Sequence, residues 1–250
     1  TWNVDGSGHW VASAGFARYV AGVSTALVDA GSAGGRQANF SWFYLGPNIN
    51  TGAPPYLTAE QALLRRSVRA FAEAEMRPHV REWDQAQQFP ADLVPRLAAL
   101  GLMGIQFPDE YGGAGMSAID YCICIEELAR VDPAVALSVA AHNGLCAAHI
   151  ALAGSEQQKQ QYLVPLARGE KIGAWALTES TSGSDAAVMR TTAAKSGGDW
   201  VLNGSKMFTT HGRVGDVLVV MAVTSPRAAR SKGVSAFIVE KGTPGFSPGN

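Results

Sequence analysis

The chain has 250 residues, 47% of them apolar and 16% charged, and a formal net charge of −1. That length holds one or two domains with sizeable cores, and the apolar share excludes a disordered polymer. The near-neutral balance argues against a nucleic-acid-binding face, which needs clustered Lys and Arg, but leaves room for small ligands held by a few local cations.

Residues 1 to about 56 form a glycine- and aromatic-rich extension, β-structured or disordered. Trp10, Ala12, Ala14 and Phe16 alternate with a period of two, a weak strand signal. Gly31 to Gly35 reads as a turn, and Asn48 to Pro55 as a breaker-rich linker. This texture resembles a piece of an outer-membrane β-barrel receptor; the competing reading is an extension with no role in the rest. Trp10 to Ala30 is apolar but interrupted by Arg18 and Asp29, and lacks a basic leader, so neither a signal peptide nor a membrane span is expected. The first residue is Thr1 rather than Met, so the natural start is expected to lie upstream. Three cysteines, Cys122, Cys124 and Cys146, make no disulfide framework and point to a reducing cytoplasm.

Residues 57–172 carry helical signals. Thr58 and Gln61 form a capping box before Leu64, Val68, Phe71 and Ala72, which recur at helical spacing. Pro78 kinks or restarts that helix. A second helix runs through Leu93, Leu97 and Leu100, with Gly101 as its stop. A glycine-rich loop spans Phe107 to Met116. A third helix covers about Ala118 to Arg130. Asp132 caps a fourth, with Pro133 in its first turn, running to Gly154. Ser155 and Gln158 open a fifth, which continues through Tyr162 and Leu166.

From residue 173 to 250 the pattern changes to strands: Ile172–Leu177, Thr191–Lys195, Trp200–Met207, Val217–Val223 and Val234–Glu240. Ser196 to Asp199 is a hairpin turn. Helices followed by strands without alternation predict an α+β chain, an α domain joined to a β domain rather than a parallel α/β sheet.

Two segments carry chemistry. Ala176 to Asp185 ends a strand in a loop dense with hydroxyls, able to offer N–H and O–H donors to an anion or a heteroaromatic ring. Trp200 to Gly212 is an apolar strand that turns at Asn203 and Gly204 and continues through Lys206, Phe208, Thr209 and Thr210. Read alone, the first segment is more often only a turn, and the second more often only a hairpin with a solvated Lys206. Together they resemble the acyl-CoA dehydrogenase family. Its middle domain carries A-L-T-E-P-x-(A/S)-G-S-D and then W-x-L-N-G-x-K-x-(F/W)-I-T-N-G. Pro108 to Gly113, His142 to Leu145, and Gly154 to Lys159 with Tyr162 and Leu163 match the same family in order.

The resemblance implies a helical bundle-like domain followed by an antiparallel β-barrel-like domain, expected to be incomplete at residue 250, and FAD as cofactor. Trp175, Leu177 and Thr178 would line the flavin, and Ser184 would sit near its phosphate or the CoA arm. Phe208 would pack on the isoalloxazine, and Thr210 would hydrogen-bond close to N5. It implies α,β-dehydrogenation of an acyl-CoA thioester to the trans-2-enoyl-CoA, as in fatty acid β-oxidation. It also implies electron-transfer flavoprotein as acceptor and a homo-oligomer, tetramer or dimer, for a full-length member. The family's catalytic base is a Glu in a third, helical domain, so the chain is expected to stop short of it and no catalytic residue is assigned. Glu126, Glu127 and Glu179 are substitutes to be weighed. The alternatives are an inactive fragment or interaction module, or a same-fold flavin monooxygenase or nitroalkane oxidase. Three departures stand out. Ser180 and Thr181 replace the family's Pro-Gly, Thr209 stands where Ile is usual, and His211 where Asn is common. His142, Cys146 and His149 share one helical face at zinc-like spacing, but no fourth ligand is evident and no metal is assigned.

Overall fold

The computed structural model describes residues 2–4, 10–12, 57–225 and 233–249. Residues 1–55 and 56–250 are two compact units. In the first, β1 (Trp2–Val4) pairs antiparallel with β2 (Trp10–Ala12), Asn3 opposite Val11. The strand signal at Trp10 and Ala12 thus falls on a strand. Ala14, Phe16, the turn at 31–35 and the linker at 48–55 lie outside the described residues.

The second unit begins with helices whose ends are fixed by side chains. Thr58 and Gln61 close a reciprocal capping box on α1 (Ala59–Phe71). A wide π-helical turn, Ala72–Met76, follows, and the chain restarts beyond Pro78 as α2 (Val80–Ala86). α3 (Val94–Ala99) ends at Gly101, whose φ of 73° is the left-handed stop that glycine adopts without cost. α4 (Ala118–Ala129) has its own box from Ser117 and Asp120. Asp132 accepts from the N–H groups of Ala134 and Val135 to start α5 (Pro133–Ala141).

α5 has no stop at its end, where His142 itself keeps helical dihedrals, φ −59° and ψ −55°. It passes through a π-helical turn, His142–Ala147, into α6 (Ala148–Ala153). The continuous helix Pro133–Ala153 is long and apolar enough to cross a membrane by length and composition. Half of its apolar window is buried inside the fold, as for the core helix of a domain. The Ser155 box opens α7 (Glu156–Gln158), and a further π turn leads to α8 (Val164–Ala167).

α1 and α4 are clasped by charge. The Glu127 carboxylate is 1% exposed and takes both Nε and Nη2 of Arg69 at 2.8 Å, with Arg65 at 3.4 Å and Arg130 at 3.6 Å. Beneath this pair, Val68, Met76, Leu93, Leu102, Ile105, Leu128 and Val139 form the helical core.

The sheet has five strands: β3 (Gly173–Ala176), β4 (Thr192–Ser196), β5 (Asp199–Asn203), β6 (Val217–Val223) and β7 (Val234–Glu240). It is mixed and open, which corrects the expectation of an antiparallel barrel-like domain. β6 pairs antiparallel with β7 along its whole length. It pairs parallel with β3 at Val217 to Val220 and parallel with β4 at Val223. β3 and β4 therefore lie end to end along one edge of β6, and the chain between them makes an excursion out of the sheet. Strand alternation along each segment carries no information about this non-local pairing, which is why local reading missed it. β4 and β5 form the hairpin predicted at 196–199, closed by Ser196 opposite Asp199.

Helices and sheet share a second core of Phe107, Cys146, Ile150, Leu163, Leu166, Val217 and Val219. At its margin the peptide of Gly173 is gripped from both sides. Its N–H donates to His142 Nδ1 at 3.0 Å, and its carbonyl accepts from His211 Nδ1 at 2.9 Å. His142 is fully buried, and its Nε2–H is shared between the Met103 and Leu166 carbonyls, both at 3.1 Å. Accepting at Nδ1 and donating at Nε2 fixes a neutral tautomer. A Cβ on Gly173 would stand 2.8 Å from both Cβ and Sγ of Cys146, so glycine is required by close approach.

Burial holds the His142 ring's pKa down to about 4, from an ordinary 6.5. Between those values the unfolded chain binds the extra proton, so stability falls as pH drops from 6.5 through 4. The loss from this ring is about 3 kcal/mol. Urea midpoints measured across that range should decline in the parent chain and decline less in His142→Gln. An equal slope in the variant would assign the loss to other groups.

Candidate functional site

The excursion between β3 and β4 is built around a buried carboxylate. Glu179 leaves the end of β3, and its backbone N–H and carbonyl bond the carbonyl and N–H of Ser182 at 2.8 and 3.2 Å. This closes a tight turn over Ser180 and Thr181. Neither residue has a positive φ, so the turn does not call on the freedom that glycine brings at the second position in the family pattern. Ser182 is buried and donates to the Asp185 carbonyl at 2.9 Å, fastening the far side of the loop.

The Glu179 side chain turns inward. It accepts from the backbone N–H groups of Arg190 at 2.6 Å and Thr191 at 2.9 Å, and from Lys206 Nζ at 2.7 Å. Burial by itself raises this carboxyl's pKa, but the Lys206 ammonium and the two N–H donors outweigh it and hold the group at about 2. One carboxylate thus ties the start of the loop, its return to β4, and the segment after β5.

That last segment runs back along β3. Lys206 Nζ also donates to the Leu177 carbonyl at 3.0 Å, and the Met207 N–H to the Thr178 carbonyl at 2.7 Å. Five residues on, His211 reaches Gly173. Phe208, Thr209 and Thr210 therefore form a short bow, pinned at both ends against the strand that carries Trp175, Leu177 and Thr178. Both flanks of the bow are left-handed, Phe208 with φ 53° and His211 with φ 63°.

Four of the six sequence-predicted site residues lie on the bow or on the segment it is pinned against. Leu177 and Thr178 lie half-buried under the bow. Phe208 projects from it with 87% of its surface exposed, and Thr210 is half-buried beside it. Trp175 stands on β3, packed at the margin of the second core; its indole N–H is buried and has no hydrogen-bond partner. Ser184 is exposed in the outer loop and shares no hydrogen bond with the bow. An orphaned donor, two half-buried hydroxyls, strand-end peptide groups and an exposed aromatic face make a set that fits a planar heteroaromatic group. Residues that positional reading passed over are Lys206 and His211, which hold the bow, and Glu179, read as part of the loop motif but not as its anchor.

The zinc alternative finds no support. His142 spends both ring nitrogens on backbone groups. Burial pushes the Cys146 thiol up to about 12, so it holds its proton. Among the described residues no group of three metal-ligating side chains comes together.

Comparison with known proteins places these features. The family model for the acyl-CoA dehydrogenase N-terminal domain matches residues 58–170, and that for the middle domain matches residues 174–250. A short-chain specific acyl-CoA dehydrogenase of Clostridium acetobutylicum is 48% identical over 193 residues, covering 77% of this chain and 51% of the relative. A glutaryl-CoA dehydrogenase from Mycobacterium smegmatis, solved in complex with FADH2, superposes with a TM-score of 0.72 at 35% identity, covering 76% of this chain and 48% of that one. A chain from structural work on the electron transferring flavoprotein of Acidaminococcus fermentans gives a TM-score of 0.74 at 40% identity, covering 78% of this chain and 51% of that one. The chain spans about half the length of the curated relatives it matches.

Removing the cation from a buried pair leaves an uncompensated charge, at a cost of about 3 kcal/mol. Lys206→Met should therefore lower chemical-denaturation stability by about that much at pH 7. The amide protons of Arg190, Thr191 and Met207 should exchange faster in the variant. Unchanged exchange at those three amides would show that the pair does not hold the loop.

Proposed function

The chain belongs to the acyl-CoA dehydrogenase family, and from that premise we propose that it supplies the flavin-facing part of an FAD enzyme that dehydrogenates an acyl-CoA thioester between its α and β carbons. The observation that carries the reading is the bow. It pins the segment that carries Phe208 and Thr210 along the strand end that bears Leu177 and Thr178, with the Phe208 ring exposed.

In this reading the FAD supplies the acceptor for the β-hydride. The protein's part is to hold it. The peptide groups of Leu177 and Thr178 and the Thr178 hydroxyl would address the polar edge of the ring, with the spare N–H of Trp175 on the same strand, and Phe208 would cover one face. The Thr210 hydroxyl would donate toward the redox-active nitrogen, where a hydrogen bond favours the build-up of negative charge on reduction. Ser184, out on the loop, is assigned to the phosphate or the CoA arm.

The α-proton needs a carboxylate base in reach of the substrate. The three candidates within the chain are committed elsewhere. Glu127 is enclosed by three arginines, Glu126 pairs with Arg65 at 3.0 Å, and Glu179 is held ionised beneath the loop by Lys206. We assign the base to a Glu in the part of the family's length that the chain does not span. For the whole protein we further propose electron-transfer flavoprotein as the electron acceptor and a dimer or tetramer as the assembly.

The test is direct. The purified chain, incubated with FAD and then desalted, should stay yellow, and Thr210→Val should weaken retention about tenfold, the effect of one lost hydrogen bond. A colourless sample would sink the flavin assignment. In the whole protein, a short acyl-CoA added without oxygen should bleach the bound flavin. Bound flavin that stays yellow under every acyl-CoA tried would point instead to another reaction on the same fold.

A further inference from the structure

His211 stands where the family pattern favours Asn, and its surroundings give it a task. The ring is nine-tenths buried and meets the Phe89 ring edge to face at 5.3 Å. It forms part of the wall of an apolar cavity of about 20 Å³ with Leu93, Val135, Val139 and Ile172. Because Nδ1 faces the Gly173 carbonyl, Nδ1 must carry the proton, and Nε2 is left as a buried lone pair with no partner. The backbone at His211 is left-handed, and its carbonyl accepts from Gly215 N–H at 2.6 Å, while Thr209 accepts from Gly212 N–H at 2.9 Å. The rear end of the bow therefore hangs on one side-chain hydrogen bond and on the seating of one ring.

We infer that His211 is a positioning residue, one that fixes Thr210 and Phe208 relative to the flavin through its Nδ1–H···O=C bond to Gly173. The inference rests on the flavin reading for its functional meaning and on the bow's geometry alone for its structural part. Thr210 is the neighbour of His211, so any rotation about this anchor carries the Thr210 hydroxyl with it. Hydrogen bonds weaken steeply outside a narrow range of distance and angle, so small displacements there are felt at the ring. An Asn amide nitrogen occupies nearly the place of imidazole Nδ1 and tolerates a left-handed φ. A Leu of the same branching keeps the bulk and loses the donor. The two substitutions thus separate the hydrogen bond from the filling of space.

His211→Asn should keep FAD affinity within about threefold of the parent and leave the flavin absorption envelope unchanged. His211→Leu should bind FAD about tenfold more weakly, as for one lost hydrogen bond, and shift that envelope. In the flavin-free chain, His211→Leu should speed exchange of the Gly212 and Gly215 amides and leave Val219 and Val239 in the sheet unaffected. Equal affinity, spectra and exchange in parent, Asn and Leu chains would overturn the inference and leave the flavin reading standing. A parent chain that binds no FAD, yet loosens at Gly212 and Gly215 on His211→Leu, would sink the flavin reading and keep His211 as the anchor. Should the Leu variant not fold, ring-nitrogen NMR of the parent decides. Protonated Nδ1 supports the assignment, and protonated Nε2 overturns it.

Discussion

The N–H of Gly173 is taken by one buried histidine and its carbonyl by another, and the space over its α-carbon is filled by Cys146. Each of these contacts belongs to a different part of the chain. His142 comes from the long core helix and also binds the Met103 and Leu166 carbonyls; His211 comes from the segment after β5. The first residue of β3 is thereby located with respect to the helices before the sheet begins. β3 then sets the register of β6, Gly173 opposite Val217, and β6 sets that of β7. The same strand delivers Leu177 and Thr178 to the site. Displacing Gly173 would therefore move sheet and site together. The arrangement requires the His142 ring to be neutral, because its Nδ1 accepts a hydrogen bond, and burial lowers the pKa of both rings.

The Glu179–Lys206 pair works by a different balance. Burying two charges is unfavourable, and their attraction roughly offsets that only when the remaining hydrogen-bonding capacity is met. Here it is met by the backbone N–H groups of Arg190 and Thr191 and by the Leu177 carbonyl. What the pair contributes is specification more than stability: three chain segments with little apolar surface of their own acquire one mutual arrangement. This bears on the loss of Pro and Gly at positions 180 and 181. The loop does not need a stiff turn, because its ends are fixed by the carboxylate behind it.

Much of this was legible in the sequence, where local rules suffice. The caps at Thr58, Asp132 and Ser155, the stop at Gly101 and the hairpin at 196–199 each follow from chemistry within four residues. The strand ranges at 217–223 and 234–240 agree to the residue. Non-local features were not legible. Parallel pairing of β3 with β6 joins residues more than forty positions apart, and no alternation pattern encodes it. Of the candidate site, the motif segments named residues of the bow and of the strand end, but not those that hold them. Lys206 read as a solvated lysine, and His211 as a departure from Asn. Apart from the Glu179 carboxylate, itself far off in sequence, their partners are backbone carbonyls, which any residue type presents equally and which sequence therefore hides.

β3 and β4 share one edge of β6, and the residues between them leave the sheet and return to it. The sheet thus registers where that excursion starts and ends and is indifferent to its path. Chain closure becomes only slightly harder as a loop grows, by about 0.6 kcal/mol for each doubling. The excursion is in this sense an evolvable cassette. Its length and composition can drift while the scaffold keeps its register, provided that a carboxylate equivalent to Glu179 closes the circuit behind it.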